Sequence, residues 1–411
     1  MTPTQNESGE NLTLEAAWEK YHASVERARA IMTGVPRLAN EPAHKALIYQ
    51  SLIEAQAMAY NFAVAPRMEP PLVHTHTWYS CFYTLGGTSP DFYYGALFLD
   101  GRKTYRLSGR FGDLRMILLQ GYSHLMGHPQ SRMLGNFDLS MFDRDADDAF
   151  EVTISATEHP GNWIPLDPDS RYNFFFVRRA LADWNQDRGT LDISLVDGAS
   201  AATAEPSQDQ ALAERLSLAA DFLHYLAINW CVDLYDLYLN CNQGEKNRVA
   251  VIAGSQIASD FVGSPTTNYI WGIYDIADDE ALIIESDVPQ ARYWSLQLFD
   301  VLCRPFDFVH HQTDVNLSRA VIDSDGKLRV VISKRDPGVA NWLDACGTNE
   351  GIIVGRTYHP DNTIAQPLTR KIKLAELDDH LPSDTRRVTA QQRREILDYR
   401  RRGYLRLYGE S

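Results

Sequence analysis

The chain has 411 residues, of which 44% are apolar and 23% are charged, and its formal net charge at neutral pH is −15. This length is enough for two domains that each bury a core, and the composition is typical of globular proteins. The excess of acid argues against a nucleic-acid-binding protein, since phosphates require a basic surface. No apolar run approaches the roughly eighteen residues of a membrane-spanning helix, so neither nucleic acid nor membrane is predicted as a partner.

The N-terminus and the cysteines predict a cytoplasmic protein. Residues 1–11 are polar, are expected to be disordered, and lack the basic-then-apolar layout of a signal peptide. The five cysteines are odd in number, widely spaced and without a CxxC pair: Cys81, Cys231, Cys241, Cys303 and Cys346. Reduced thiols therefore fit this chain better than a disulfide framework.

The first half reads as helices followed by strands. Apolar periodicity predicts helices over residues 12–32 and 41–64, which form an N-terminal helical segment at 12–71. From residue 73 the pattern changes to short β-branched and aromatic runs separated by Gly, Pro and Asp. About seven such strands fall within a first β-rich repeat at 72–198, which is the strand density of an antiparallel sandwich.

The second half repeats this order. A small polar stretch and a long apolar helix over 212–239 are predicted as linker and helix at 199–248. A second β-rich repeat follows at 249–365, with predicted strands that include RAVID and LRVVISK. Residues 366–411 form a tail with a basic helix that packs on the surface or across a subunit contact. The predicted fold class is α+β, with two tandem antiparallel β-sandwich-like repeats, each preceded by helix.

An internal duplication supports this division. Residues 150–163 read FEVTISATEHPGNW and residues 328–342 read LRVVISKRDPGVANW. A shift of 178 positions brings these segments together and also places Leu139-Ser140 on Leu317-Ser318. Residues shared by both halves are expected to serve the fold, and residues found in one half only are freer to serve a site. The Asn-Trp pairs at 162–163 and 341–342 are accordingly predicted to be structural.

Histidines are the leading candidates for chemistry. His74 and His76 lie two residues apart on a predicted strand, so their imidazoles point to the same face. Two further pairs are His124 with His128, and His310-His311. Neutral imidazole serves as an acid/base group or a metal ligand, and the alternative is an ordinary hydrogen-bonded loop histidine. We predict acid/base or substrate contact for the HxH pair and assign no metal site.

Tyrosine and arginine complete the candidate site. The residues predicted as catalytic are His74, His76, Tyr79, Arg115 and His310, and those predicted to bind substrate are Tyr94, Tyr293 and His311. Tyrosines along strands suit an aromatic ligand, although tyrosine is also simply a good strand former. Other arginines beside strands are expected to form internal ion pairs: Arg110, Arg178, Arg179, Arg292 and Arg356. No GxSxG, P-loop, GxGxxG or HExxH motif occurs, so no cofactor is predicted.

The second half resembles a known family. YWSLQLFD, the stretch from Asn316 to Gly347 with its DPGxxNWLD motif, and GIIVGRTY are similar to a bacterial family catalogued as domain of unknown function twelve-fourteen. In the first half, DFYYGALFLDGRKTYRLSGRFGD and HPGNWIPL look like the upstream region that accompanies this domain in many relatives, so the resemblance covers most of residues 73–360. It implies β-sandwich units with helices and carries over no catalytic residues. Relatives are associated with bacteria that degrade steroids and lignin-derived aromatics, which is an association rather than a mechanism.

The sequence thus predicts a homo-oligomeric enzyme of small-molecule catabolism that acts on an apolar, aromatic compound. The expected mechanism is cofactor-independent acid/base chemistry of the lyase type, at a cleft between the repeats. One alternative is a metal-dependent hydrolase that uses the same histidines. Another is a non-catalytic ligand-binding or scaffold protein.

Overall fold

The computed structural model describes residues 12–66, 68–75, 84–196, 207–256, 266–360 and 364–407. The fold is α+β and consists of two tandem β-sandwich-like repeats with a helical N-terminus and a C-terminal helix, as predicted. The predicted disorder of residues 1–11 and the candidate residues His76 and Tyr79 lie outside the described ranges. Among the helices within those ranges, none is both long and apolar enough to cross a bilayer.

The helices form where apolar periodicity predicts them. Those at the N-terminus are α1 (Leu14–Gly34), α2 (Pro36–Ala39) and α3 (His44–Ala59), which continues as a π-helical turn at Tyr60–Val64. Before the second repeat lie α4 (Gln208–His224), a π-helical stretch at Tyr225–Asp233 and α5 (Leu234–Cys241). The C-terminal helices are α6 (Leu377–His380) and α7 (Ala390–Leu407). Thr13 and Ser207 cap α1 and α4, because each hydroxyl accepts a backbone N–H of the first turn at 3.2 Å.

Seventeen described strands make up the two repeats. The first repeat has β1 (Phe92–Leu99), β2 (Tyr105–Arg110), β3 (Met116–Tyr122), β4 (Met133–Asp138), β5 (Ala149–Ser155), β6 (Trp163–Pro165), β7 (Asn173–Ala180) and β8 (Thr190–Leu195). The second has β9 (Arg248–Ala253), β10 (Thr267–Asp275), β11 (Glu280–Asp287), β12 (Ala291–Phe299), β13 (Asp314–Asn316), β14 (Lys327–Ser333), β15 (Trp342–Asp344), β16 (Glu350–Pro360) and β17 (Leu368–Lys373).

The strand order confirms the internal duplication. The large sheet of the first repeat has the order β1-β7-β3-β4, and that of the second runs β10-β16-β12-β13 with β9 added beside β10. The small sheets, β6-β5-β2-β8 and β15-β14-β11-β17, also correspond strand for strand. At the edge that β9 occupies in the second repeat, His74 forms an isolated bridge with Ala96 of β1 in the first. The two halves therefore share one topology, including its crossovers.

The Asn-Trp motif has the same structural role in both halves. Asn162 donates to the carbonyls of Asp143 and Glu151, and Asn341 donates to those of Val321 and Arg329. Each asparagine thereby links a loop to the strand beside it. The following tryptophan donates its indole N–H at 3.2 Å to the carbonyl that ends β5 or β14. The prediction that this motif serves the scaffold is confirmed.

Alternation along the strands separates three cores. On β1, residues Phe92, Tyr94, Ala96 and Phe98 face a core shared by both large sheets and the helices, whereas Tyr93, Leu97 and Leu99 face the first sandwich. The second sandwich has a core of its own between its two sheets. Because both faces of β1 and β7 are covered, all eight residues of each strand are buried. The large sheets are thus packed against each other and against the helical layer.

Two local predictions need correction, and one turn stands out. The predicted strand RAVID is a turn and loop after the short strand β13, since Arg319 and Ala320 donate backbone hydrogen bonds back to Asn316. The sandwiches are not purely antiparallel, because β5 pairs with β6, and β14 with β15, in parallel. The turn at Asp100-Gly101 crosses from the large to the small sheet. There Gly101 is required, since a Cβ would lie 1.7 Å from the carbonyl oxygen of Asp167.

A buried charge network joins the two repeats to α7. Asp91, which precedes β1 and is 1% exposed, accepts hydrogen bonds from Trp184, Tyr293, Asn316 and Arg319 at 2.5–3.0 Å. Asp314 in turn binds Arg319 and, at 2.5 Å, Arg400 of α7. Two carboxylates thus balance two guanidinium groups. The basic tail helix consequently packs within this chain rather than standing apart from it.

Candidate functional site

A second set of buried polar residues lies where the large sheets face the shared core, and there the charges do not balance. Cross-strand pairing places Tyr94 opposite Arg178 in the first repeat and Tyr269 opposite Arg356 in the second. A glutamine on the next strand completes each set. We call these six residues the inter-repeat cluster: Tyr94, Gln120, Arg178, Tyr269, Gln297 and Arg356.

The two halves of the inter-repeat cluster have the same internal contacts. Arg178 Nη1 donates to Gln120 Oε1 at 2.6 Å, and Arg356 Nη1 donates to Gln297 Oε1 at 3.3 Å. Both glutamines are fully buried. The guanidinium of Arg178 lies 4.3 Å from the ring centroid of Phe176, and that of Arg356 lies 5.5 Å from that of Phe299. Each arginine therefore contacts an aromatic ring and is hydrogen-bonded by an amide.

The inter-repeat cluster carries two positive charges without a carboxylate partner. No Asp or Glu in the described part of the chain lies within ion-pair distance of Arg178 or Arg356. Arg178 is only 8% exposed. In the buried charge network around Asp91 and Asp314, by contrast, Arg319 and Arg400 each contact a carboxylate. A buried charge without a counterion costs several kcal/mol, so this region of the core is electrostatically suited to an anion.

Several neighbouring polar atoms also have no partner. In the described structure, the buried atoms without a hydrogen bond include Tyr122 Oη, Thr267 Oγ1, Trp271 Nε1, Ser295 Oγ and Gln297 Nε2. By strand alternation all five side chains point to the face of the large sheets that carries the inter-repeat cluster. Each such group typically costs about 1–3 kcal/mol when it is left unsatisfied. Their concentration on one face is what a site for a polar ligand or ordered water requires.

A glycine segment closes one side of the inter-repeat cluster. Arg356 Nη2 donates to the carbonyl of Gly87, whose own N–H donates to the carbonyl of Cys303 at 3.0 Å. Gly87 has a φ of +69°, and a Cβ there would lie 3.1 Å from Cys303 Sγ. Two positions further on, the N–H of Ser89 donates to Tyr94 Oη at 2.8 Å. Backbone from the first repeat thus orients the arginine of the second.

Burial sets the protonation of the groups around the inter-repeat cluster. Burial raises the pKa of Tyr94, although the charges of Arg356 and Arg178 oppose this shift. Burial also raises the pKa of Cys303 to about 12. The phenol and the thiol are therefore neutral at pH 7. This protonation favours hydrogen bonding to a ligand and disfavours attack by a Cys303 thiolate.

Only some of the predicted site residues that the structure describes lie in or beside the inter-repeat cluster. Tyr94 belongs to the inter-repeat cluster, and His74 lies beside it, since its ring contacts Phe98 edge-on with centroids 6.0 Å apart. Tyr293 faces the same core, but its hydroxyl donates to Asp91 at 2.5 Å. By strand pairing, the counterpart of His74 in the second repeat is Ala250, so this histidine is a feature of one half.

The other predicted residues lie elsewhere. Arg115 is exposed and precedes β3, at the end of the sheet away from His74. His310 and His311 lie in the loop between β12 and β13 and bind Asp307 and Asp344 at 2.8 and 2.7 Å. Neither histidine is part of the inter-repeat cluster. His124 and His128 stack on each other with centroids 4.4 Å apart.

The sequence predicted internal ion pairs for Arg178 and Arg356, and among the described residues neither arginine forms one. The same prediction is right for Arg292, which contacts Asp138 at 2.7 Å. A signal was nevertheless present in the sequence, because the shift of 178 positions that aligns the repeats also places Arg178 on Arg356. The two halves therefore share the polar residues of the inter-repeat cluster as well as scaffold motifs.

Comparisons with known proteins support the fold and name no activity. Residues 253–376 match a family described as "Protein of unknown function (DUF1254)", which does not confirm the family number or motif of the sequence resemblance. An uncharacterised protein from Burkholderia cenocepacia is 25% identical, with 88% of this chain and 97% of that chain covered and a TM-score of 0.76. The VPA0106 protein from Vibrio parahaemolyticus is 12% identical over 80% of this chain and 98% of that chain, with a TM-score of 0.48. No curated protein matches the chain.

Proposed function

We propose that the protein is an enzyme that binds a small, apolar, aromatic compound with an anionic group between its two repeats. The observation that carries this proposal is the presence of two guanidinium groups, Arg178 and Arg356, in aromatic surroundings without a carboxylate among the described residues. A bound carboxylate or enolate would offset both charges and accept their N–H groups. The rings of Phe176 and Phe299 would pack on the apolar part of the ligand.

The proposed chemistry is acid/base catalysis of the lyase type. His74, about 7 Å from Tyr94 along the sheet, would take a proton from a carbon next to a carbonyl group. The electron pair of the broken C–H bond would become an enolate, whose charge Arg178 and Arg356 would stabilise. Collapse of the enolate would re-form the carbonyl, make a double bond to the β-carbon and break the C–O bond there, and the leaving oxygen would take the proton that His74 carries. Cytoplasmic location and self-association stay predictions.

A binding experiment tests the anionic part of this proposal. Calorimetric titration with benzoate and phenylpyruvate, and with neutral benzamide, should show binding of a carboxylate and none of the amide. Arg178→Gln and Arg356→Gln should each weaken binding more than tenfold, since loss of a charged contact costs about 2–5 kcal/mol. Arg115→Gln is the matched control, because that side chain is exposed. Carboxylate binding that survives the double Arg→Gln variant would refute the site.

A second experiment tests catalysis. Phenylpyruvate has an acidic C–H beside its carbonyl, so exchange of that hydrogen in D2O can be followed by proton NMR. Wild-type protein should accelerate the exchange, and His74→Gln should abolish the acceleration while leaving affinity within about twofold, since this histidine lies beside the arginines rather than between them. Equal exchange with and without His74 would exclude it as the base.

Non-catalytic ligand binding is the second candidate, and one observation favours it. Burial raises the pKa values of Tyr94 and Cys303, so neither group in or beside the inter-repeat cluster titrates near neutral pH. Such a site binds an anion without supplying a base of its own. Tight carboxylate binding with no exchange in D2O would select this candidate over the enzyme.

A further inference from the structure

Two loops of the second repeat bring three metal-binding residue types together, away from the inter-repeat cluster. His311 comes from the loop between β12 and β13, and Asp344 and Cys346 come from the end of β15 and the turn after it. One nitrogen, one oxygen and one sulfur atom of these side chains lie within 4.8 Å of one another. The three residues are partly exposed, so the group is accessible from solvent.

Side-chain and main-chain hydrogen bonds hold the three donors in place. His311 Nδ1 lies 2.7 Å from Asp344 Oδ2, and the N–H of Cys346 donates to Asp344 Oδ1 at 2.8 Å. The N–H of Asp344 donates at 2.8 Å to the carbonyl of Gln312, the residue that follows His311. The two loops are therefore joined by backbone at the position where the side chains meet. The donors therefore come from a loop and a turn that a backbone hydrogen bond joins at the end of β15.

The fold does not depend on this group. Strand pairing shows that Asp344, opposite Ser333, corresponds to Pro165, opposite Ser155, in the first repeat. The residue corresponding to Cys346 is then Asp167. In the first repeat the turn starts one residue later, and the Asp167 carboxylate contacts Arg132 at 2.8 Å. The pairing of a carboxylate with a thiol two residues on is thus specific to the second repeat, as expected of a site rather than of scaffold.

We propose that His311, Asp344 and Cys346 form a zinc site with three protein ligands and an open fourth position. Imidazole nitrogen, thiolate sulfur and carboxylate oxygen are the ligands Zn²⁺ takes in proteins, and tetrahedral binding would draw them to about 3.5 Å apart. On binding, Zn²⁺ would replace the hydrogen bond between His311 Nδ1 and Asp344 Oδ2, and the neutral imidazole would carry its proton on Nε2. The thiol proton of Cys346 would pass to the buffer.

A neighbouring histidine provides an internal comparison. His310 lies next to His311, but its Nδ1 is bound to Asp307 at 2.8 Å. His310 consequently serves as a matched control.

Titration of metal-free full-length protein with Co²⁺ tests the site. We expect one Co²⁺ per chain, with the near-ultraviolet charge-transfer band of a thiolate ligand, and competition by Zn²⁺. Cys346→Ser should remove the band, and His311→Gln should weaken Zn²⁺ binding more than tenfold. His310→Gln and Cys241→Ser should leave both unchanged.

Three results would overturn the zinc site. These are no thiolate band on Co²⁺ addition, a band that persists in Cys346→Ser, or equal Zn²⁺ affinity in wild type and His311→Gln. His311 is 45% exposed, so its variant is expected to fold, which keeps the test decisive if Cys346→Ser does not. The zinc site is independent of the inter-repeat cluster, since the variants of His311 and Cys346 leave Arg178 and Arg356 intact.

Discussion

Asp91 joins the two repeats, and Asp91→Asn removes its charge while keeping its shape. The carboxylate precedes β1 and binds Tyr293, Asn316 and Arg319 of the second repeat. In the variant, Arg319 and Arg400 share only Asp314, so one positive charge is left uncompensated in the core. Loss of one member of a buried ion pair costs about 3–5 kcal/mol, and we expect a loss of that size in the free energy of unfolding.

This loss translates into a measurable shift in melting temperature. For a unit of about 400 residues, the entropy of unfolding near 60 °C is about 0.8 kcal/mol per degree, so Asp91→Asn should lower Tm by about 4–6 °C. Urea unfolding followed by intrinsic fluorescence and by circular dichroism provides the free energy directly. If the repeats unfold cooperatively in wild type, the variant is also expected to separate the two transitions.

The matched control is Asp278→Asn. Asp278 contacts Lys334 at 2.6 Å, but its side chain is 76% exposed, so solvent screens the pair and Asp278→Asn should leave the free energy of unfolding close to that of wild type. An Asp91→Asn variant no less stable than Asp278→Asn would refute the reasoning that this network holds the repeats together.

Two further predictions concern pH and the duplicated motif. Burial raises the pKa of Asp300 from 3.8 to about 6, so the folded state binds this proton more tightly and loses stability, by about 3 kcal/mol, as pH rises from about 4 to 6. Asp300→Asn should flatten the unfolding free energy across that range in urea titrations, and an unchanged slope would contradict this. Asn341→Ala should lower the free energy of unfolding by about 2–4 kcal/mol, and Asn162→Ala should lower it by about 1–2 kcal/mol. The difference is expected because Asn341 is 8% exposed, so the backbone carbonyls that lose its hydrogen bonds cannot bind water instead. Equal losses on urea unfolding would show that burial does not set this cost.

Features that depend on residues close in sequence could be predicted from the sequence. The long helix over 212–239 and the tail helix follow from apolar periodicity, and they are found at Gln208–Cys241 and Ala390–Leu407. The duplication follows from strand alternation and turn residues that recur in the same order. The Asn-Trp motif could be assigned to the scaffold because each asparagine bonds to backbone within about twenty residues of itself.

The composition of the candidate site could not be predicted in this way. The arginines next to strands look alike in the sequence, yet Arg292 contacts Asp138 across the repeats whereas Arg178 contacts an amide and an aromatic ring. The partner of a buried charge depends on which strands pack together, and these strands are far apart in the chain. The short strands β6 and β15 could not be predicted for a related reason. A strand of three residues is too short to show an alternation of apolar and polar side chains, and it is recognised only by its pairing with β5 or β14.

The α+β class, the repeat and the scaffold role of the Asn-Trp motif could be predicted from the amino-acid sequence, because they follow from local periodicity and turn chemistry. Which polar residues meet depends on the tertiary structure. The tertiary structure places Arg178 and Arg356 at one core through two equivalent sheets, and it places His311 beside Asp344, 33 residues further along the chain. Such meetings depend on long-range packing, in which strands distant in sequence become neighbours across a sheet, and no local pattern records them.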